Sequence, residues 1–218
     1  MDVFKAIESG DLERVRELVA AEPAVGKQQN AEGVSALLAA QYNGRTDIGE
    51  ELVRTAPELD VFEAAAYGRT DRLDELLAAD PALANAWSPD GFQPLGLAVF
   101  FGHADAARLL VARGADVNTP ARHAFIKAAP IHSATAASEP AARLELTELL
   151  LDKGADPNAT QEGGFTPLHA AAQHGDADVA SLLLARGADA GAATDDGKTA
   201  AAIAQEHGQD ELAELLGA

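Results

Sequence analysis

The sequence predicts an all-α solenoid of about seven antiparallel helix pairs joined by β-hairpin-like loops. The chain holds 50 Ala and 26 Leu among 218 residues, a composition that favours helices over strands. The tripeptide Gly-Ala-Asp begins at Gly114, Gly154 and Gly187, at spacings of 40 and 33 residues. A second glycine divides each unit, so the unit consists of two short helices and an extended loop. Such internal repetition is typical of stacked repeats.

Each unit is expected to begin at a capping residue and to end at a glycine. Thr166 can cap a helix and Pro167 suits the first turn. Apolar triplets at 109–111, 149–151 and 182–184 precede the Gly-Ala-Asp glycines, which can adopt the left-handed conformation that ends a helix. The mid-unit glycines are Gly10, Gly44, Gly68, Gly102, Gly175 and Gly208. We expect helix pairs starting near Asp2, Ser35, Glu58, Gln93, Ala128, Thr166 and Thr199.

One unit is irregularly spaced, because Gly44 and Gly68 are only 24 residues apart. A partial duplication at an offset of 58 explains the spacing, since residues 2–4 and 60–62 both read Asp-Val-Phe. We therefore predict an N-terminal extension of two helix pairs (1–56) and an array of five pairs (57–218) in one continuous solenoid. The extended loop, or finger, should be missing between the second and third pairs. The last pair carries polar residues suited to a capping repeat.

Residues 164–171 read Gly-Phe-Thr-Pro-Leu-His-Ala-Ala, and a weaker copy, Gly-Phe-Gln-Pro-Leu-Gly, occupies 91–96. These residues resemble the ankyrin repeat over nearly the whole chain, with about six to seven repeats. The resemblance implies that first helices and fingers form a concave face that binds another protein. It also implies that His132 and His169, at the fourth motif position, bond the backbone of a neighbouring loop. The 11 Arg against 5 Lys and the abundant Ala favour a bacterial source.

Charge and composition disfavour several classes of function. The formal net charge of −19 repels phosphate backbones and anionic lipids, so neither nucleic acid nor a membrane is an expected partner. The absence of Cys excludes disulfides, thiolate nucleophiles and Cys-based metal sites. No apolar run approaches the length of a spanning helix, and the N-terminus lacks a signal-peptide pattern. We expect a cytoplasmic, monomeric protein.

The sequence contains no persuasive catalytic constellation. Residues 191–199 end in Gly-Lys-Thr like a phosphate-binding loop, but Asp195 and Asp196 lie where phosphate oxygens would bind. The six histidines lack the spacing of metal or general-base motifs. We therefore expect no enzyme activity, no cofactor and no metal site.

Aromatic residues indicate where a partner would bind, because eight of the ten fall on fingers or at the ends of first helices. Phe92, Phe165 and Phe100 have packing as an alternative role, whereas exposure is expected for Trp87 and for the other first-helix aromatics. The candidate contact residues are Tyr42, Tyr67, Trp87, Phe92, Phe101, Arg122, His123, Phe125, Lys127, Phe165 and His174.

Two alternatives remain open. A small ligand could bind in an aromatic notch formed by Tyr42, Tyr67, Trp87 and Phe101 where the finger is missing. Residues 141–218 carry 4 basic and 14 acidic groups; this excess either keeps the surface solvated or speeds the capture of a basic partner.

Overall fold

The computed structural model describes residues 2–56, 58–123, 127–137 and 140–217. These residues form fourteen α-helices, arranged as seven consecutive pairs, and no extended sheet strands. The helices are α1 (Val3–Ser9), α2 (Leu12–Ala21), α3 (Ala36–Tyr42), α4 (Thr46–Thr55), α5 (Val61–Ala66), α6 (Thr70–Ala79), α7 (Pro94–Phe100), α8 (Ala104–Ala112), α9 (Pro130–Thr135), α10 (Pro140–Asp152), α11 (Pro167–His174), α12 (Ala177–Ala185), α13 (Ala200–Glu206) and α14 (Asp210–Leu215). Short 3₁₀ turns occupy Pro23–Lys27, Pro81–Asn85 and Glu162–Gly164. The predicted all-α solenoid is confirmed.

The predicted helix boundaries follow from local chemistry. Thr166 precedes α11 in an extended conformation, with Pro167 in the first turn. The glycines after α8, α10 and α12 have φ values of +89°, +86° and +91°. Because a side chain is strained in this left-handed region, glycine ends these helices with the least conformational strain.

Leucines at matching positions build the core of successive pairs. Leu110, Leu150 and Leu183 lie in α8, α10 and α12, and each is completely buried. They belong to one hydrophobic cluster that runs from Val3 to Leu216. Each pair therefore covers its neighbour's apolar face, as stacked repeats require.

Asparagine side chains connect successive units on the loop side. The Asn118 amide donates to the carbonyl of Gly154 at 2.9 Å, and its Oδ1 accepts from the Asp156 N–H at 2.9 Å. Asn85 and Asn158 make the same pair of bonds to the units that follow them. This ladder satisfies loop backbone groups that helices and sheets leave unpaired.

Histidines form a second set of links between units. His132 Nε2 donates to the Ala159 carbonyl at 3.0 Å, and His169 Nε2 donates to the Lys198 carbonyl at 3.1 Å. His103 bonds a carbonyl of α5 in the same way. Burial lowers the pKa of each of these three imidazoles below its usual value. The lowered pKa favours the neutral imidazole, as expected for a ring with a structural role.

Only residues 56–60 connect α4 to α5, of which Pro57 lies outside the described residues. In residues 56 and 58–60, the described part of this connection, no finger is formed, in agreement with the prediction. The second finger consequently rests on the fourth, where Pro89 lies close to Gly33. The division at residues 56/57 remains a prediction.

The predicted exposure of Tyr67 is wrong. Its side chain is 5% exposed, and its hydroxyl donates to the Leu37 carbonyl at 2.7 Å. The ring packs against Gly49, where an added Cβ would lie 2.6 Å from the Tyr67 Oη. Burying the ring while bonding the hydroxyl satisfies both parts of the side chain. Tyr67 is therefore not available to line the alternative aromatic notch.

Candidate protein-binding groove

A continuous groove of 530 Å³ runs along the first helices and fingers of the second, fourth, fifth and sixth units. Small side chains of α7, α9 and α11 form its floor, and aromatic and polar finger residues form its walls. The lining residues are Glu32, Val34, Tyr42, Asp90, Phe92, Gln93, Gly96, Leu97, Phe100, Thr119, Ala121, His123, Ala128, Pro130, His132, Ser133, Ala136, Gln161, Phe165, Ala170, Gln173 and His174.

Gly96 opens the centre of the groove. It occupies the fourth motif position, where α9 and α11 carry His132 and His169. No heavy atom lies within 4 Å of the place that a Cβ on Gly96 would take. Because residues four apart lie on the same side of a helix, Gly96 and Phe100 face the groove together. The missing imidazole leaves open space beside an exposed ring.

Aromatic rings cluster at the end of the groove nearest the second unit. The centroid of Phe92 lies 6.2 Å from Tyr42 and 5.2 Å from the stacked ring of His123. Phe101 lies 5.9 Å from Tyr42 and meets Phe100 edge-on at 5.0 Å. Phe100 is nevertheless 52% exposed, so the alternative role of packing does not account for this ring. The groove has a large apolar ring that the described part of the chain leaves half uncovered.

Two carboxylates lie at the same end. Asp90 accepts hydrogen bonds from the hydroxyls of Tyr42, at 2.8 Å, and Ser88. Burial, reinforced by the Asp90 charge, raises the pKa of Tyr42 far above its usual value, so this phenol remains a hydrogen-bond donor. Glu32 is exposed on the second finger. Within residues 2–56, 58–123, 127–137 and 140–217, neither Asp90 nor Glu32 has an ion pair with Lys or Arg.

The second helices carry a different charge pattern. Arg108 of α8 pairs with Glu145 of α10. Arg186, which follows α12, pairs with Asp152 of α10 at 2.6 Å. Several cations of the chain thus form ion pairs between units on the side away from the groove. The carboxylates of the groove have no such pairing in the described residues.

The structure brings together only some of the predicted contact residues. Tyr42, Phe92, His123, Phe165 and His174 line the groove. Trp87 is half-buried and lies under the Arg122 guanidinium, whose Cζ is 3.9 Å from the ring centroid, a cation–π contact. Neither residue lines the groove. Phe101 is half-buried and packs against the hydrophobic core. Lys127 is exposed outside the groove.

Phe125 lies outside the described residues. The sequence analysis missed Gly96, Glu32 and Asp90 as features of the groove. The sequence did carry one signal: residues 93–96 depart from the repeat motif, because Gln-Pro-Leu-Gly replaces a motif that ends in His.

The loop that resembles a phosphate-binding loop has structural contacts. Lys198 Nζ pairs with Glu206 at 2.7 Å, and residues 193 and 199 form the base of a finger. Among the described residues, no three His, Asp or Glu side chains converge in a way that could hold a metal ion. Over the same residues, no helix has both the length and the apolar character needed to cross a bilayer.

Comparison with known proteins decides the family. The family of ankyrin repeats (3 copies) matches residues 3–121 and 131–218. The chain belongs to the ankyrin-repeat family. Ankyrin repeats generally mediate protein–protein interactions, and the groove of this ankyrin-repeat chain lies on its first helices and fingers.

Two larger proteins are similar to this chain. A putative palmitoyltransferase, ZDHHC13 of Danio rerio, is 30% identical over 190 residues, which are 81% of this chain and 28% of that protein. The E3 ubiquitin-protein ligase XB3 of Oryza sativa subsp. japonica is 30% identical over 130 residues, 60% of this chain and 20% of that protein. The chain thus spans less than a third of either relative, and the activities in their names describe those proteins.

Proposed function

We propose that this protein is a non-enzymatic interaction module that binds a partner protein in the groove formed by its first helices and fingers. The observation that carries the proposal is the half-exposed ring of Phe100 beside the open space at Gly96. A contiguous apolar surface in a soluble chain is typical of an interaction site. Repeat stacks use such extended surfaces for binding.

The groove-lining residues of the predicted set are the proposed contacts: Tyr42, Phe92, His123, Phe165 and His174. Lys127 and Arg122 are exposed on the fifth finger and are proposed as contacts at the groove's rim. Tyr67 is no longer a candidate, because its ring is buried. Tyr and other aromatic residues supply large contact area at interfaces, where a few residues carry most of the binding energy.

The proposal includes a cytoplasmic, monomeric protein without a cofactor. The high negative charge and lack of cysteine support this placement, because charge keeps monomers apart in solution and reducing compartments do not require disulfides. The palmitoyltransferase and ubiquitin-ligase activities of the relatives are not carried over to this chain.

Site-specific photo-crosslinking in cells of the source organism tests the proposed face. A photoreactive phenylalanine analogue replaces Phe100 in one variant and Leu144 of α10 in the other. Both side chains are exposed, at 52% and 36%, but only Phe100 lines the groove. We expect a discrete crosslinked partner at position 100 and a weak or absent one at position 144. Equal crosslinking at both positions, or crosslinking at position 144 alone, would contradict the proposal.

A small-ligand receptor is the second candidate, and the groove volume favours it. The value of 530 Å³ falls within the range of about 300–1,000 Å³ typical of small-molecule sites. A ligand present at a hundred times its dissociation constant would add about 2.7 kcal/mol to the stability. Thermal unfolding against a metabolite panel would reveal that stabilisation. A Gly96→Leu variant that loses the shift would locate the ligand in the groove.

A further inference from the structure

Gly96 has no structural reason to be glycine. A Cβ at this position would meet nothing within 4 Å, and the residue does not have the positive φ that favours glycine. Gly49, also inside a helix, provides the contrast, because a Cβ there would collide with Tyr67. Glycine inside a helix is less stable than alanine. The helix therefore accepts a cost at Gly96 that packing does not require.

The surroundings of Gly96 define the shape of the space. The small groove-lining residues of the neighbouring units are Ser133 of α9, Ala136 directly after α9 and Ala170 of α11, while Pro130, His132, Gln173 and His174 of the same two helices also line the groove. The rings of Phe92 and Phe100 form the walls. Small floor residues between large aromatic walls suit one bulky apolar side chain, and a buried anchor of this kind concentrates binding energy.

The negative charge at one end of the groove limits which residues a bound segment can carry next to its apolar side chain. Glu32 and Asp90 line the groove, and in the described part of the chain neither forms an ion pair with Lys or Arg. Both hydroxyl bonds to Asp90 come from neutral groups, which do not neutralise the carboxylate. A Lys or Arg of the occupant would gain attraction there, while an acidic residue would be repelled.

We propose that the groove binds a segment of the partner protein that inserts one large apolar side chain beside Gly96 and places a Lys or Arg against Asp90 and Glu32. The proposal rests on the proposed function and adds the chemistry of the partner. The space at Gly96 acts as the anchor pocket, and the two carboxylates set the direction in which the segment lies.

Selection from a library of short random peptides tests the proposal on the full chain. We expect the selected peptides to combine a large apolar residue with a nearby Lys or Arg. Synthetic copies should bind the Gly96→Leu variant at least about tenfold more weakly. Ser181→Leu places the same side chain on an exposed site of α12 and should bind these peptides like the unmodified chain.

Folding does not confound this test. Replacing a helix glycine whose Cβ position is open should raise the melting temperature of Gly96→Leu by about 2 °C or more. Lost binding in a variant of raised melting temperature would therefore report on the pocket.

The charge component has its own pair of variants. Glu32→Lys should weaken the binding of the basic peptides at least about tenfold. Added salt should weaken their binding to the unmodified chain. Glu148→Lys on α10, exposed and outside the groove, makes the same change in net charge and should have a much smaller effect.

Three results would overturn the inference: no enriched peptide, an enriched set without basic residues, or equal binding to Gly96→Leu and the unmodified chain. The crosslinking comparison at Phe100 and Leu144 separates this failure from that of the proposed function. Crosslinking confined to position 100 would preserve the binding face even if the anchor pocket were refuted.

Discussion

Replacing Asn118 by Ala removes one rung of the asparagine ladder. The substitution deletes two hydrogen bonds of 2.9 Å each, to the Gly154 carbonyl and from the Asp156 N–H. A protein hydrogen bond contributes a net of about 0.5–1.5 kcal/mol, so we expect a loss of about 2 kcal/mol in the free energy of unfolding. For a chain of this size the melting temperature should fall by about 4–8 °C.

Asn30→Ala is the matched control. Asn30 Oδ1 also takes part in two bonds, from the N–H groups of Glu32 and Val34 at 3.0 Å, but both lie within the second finger. In a stack, the interfaces between units determine cooperativity. Asn118→Ala should therefore be the more destabilising of the two variants.

Urea unfolding followed by circular dichroism and by the fluorescence of Trp87, the single tryptophan, measures both effects. In Asn118→Ala, the transition seen at Trp87 should separate from the transition of the whole chain, whereas in Asn30→Ala the two should coincide. A loss below about 0.5 kcal/mol, the lower limit for one bond, would refute the role of the ladder in joining units.

Three further predictions concern the core and the histidines. Leu150→Ala, at a completely buried site, should cost about 2–5 kcal/mol in urea unfolding; a cost like that of a surface substitution would contradict the assigned core. Tyr67→Phe removes the bond to the Leu37 carbonyl and should cost about 1 kcal/mol, whereas an exposed Tyr67 would give no change in melting temperature. Burial lowers the pKa of His132 and His169, so protons bind the unfolded state more readily. Their contribution to stability is complete above about pH 6.5 and is lost as the pH falls below it; unchanged stability between about pH 7 and pH 5 would refute this.

The sequence was sufficient for the parts of the fold that repeat. A capping Thr, a left-handed glycine and an apolar triplet act locally, so Thr166, Gly187 and Leu183 could be assigned from spacing alone. The histidine links were also accessible, because the motif places His132 and His169 in equivalent turns.

The exposure of individual aromatic rings was not predictable in the same way. Tyr67 and Phe100 both occupy the end of a first helix, yet one is buried and the other is half exposed. Whether each ring is buried depends on what faces it. Gly49 leaves room for the Tyr67 ring, whereas Phe100 faces the open groove. Such differences arise between units that are distant in sequence, and a pattern within one unit does not contain them.

The position of the cations explains how a strongly acidic chain can still have a directional charge. Arg108 and Arg186 pair with carboxylates of the neighbouring second helices, which lowers repulsion where the units stack. Asp90 and Glu32 have no such pairing in the described residues, so the groove keeps a field that an approaching cation meets. Exposed pairs add little stability individually, and their larger consequence is that the unbalanced charge lies beside the apolar surface.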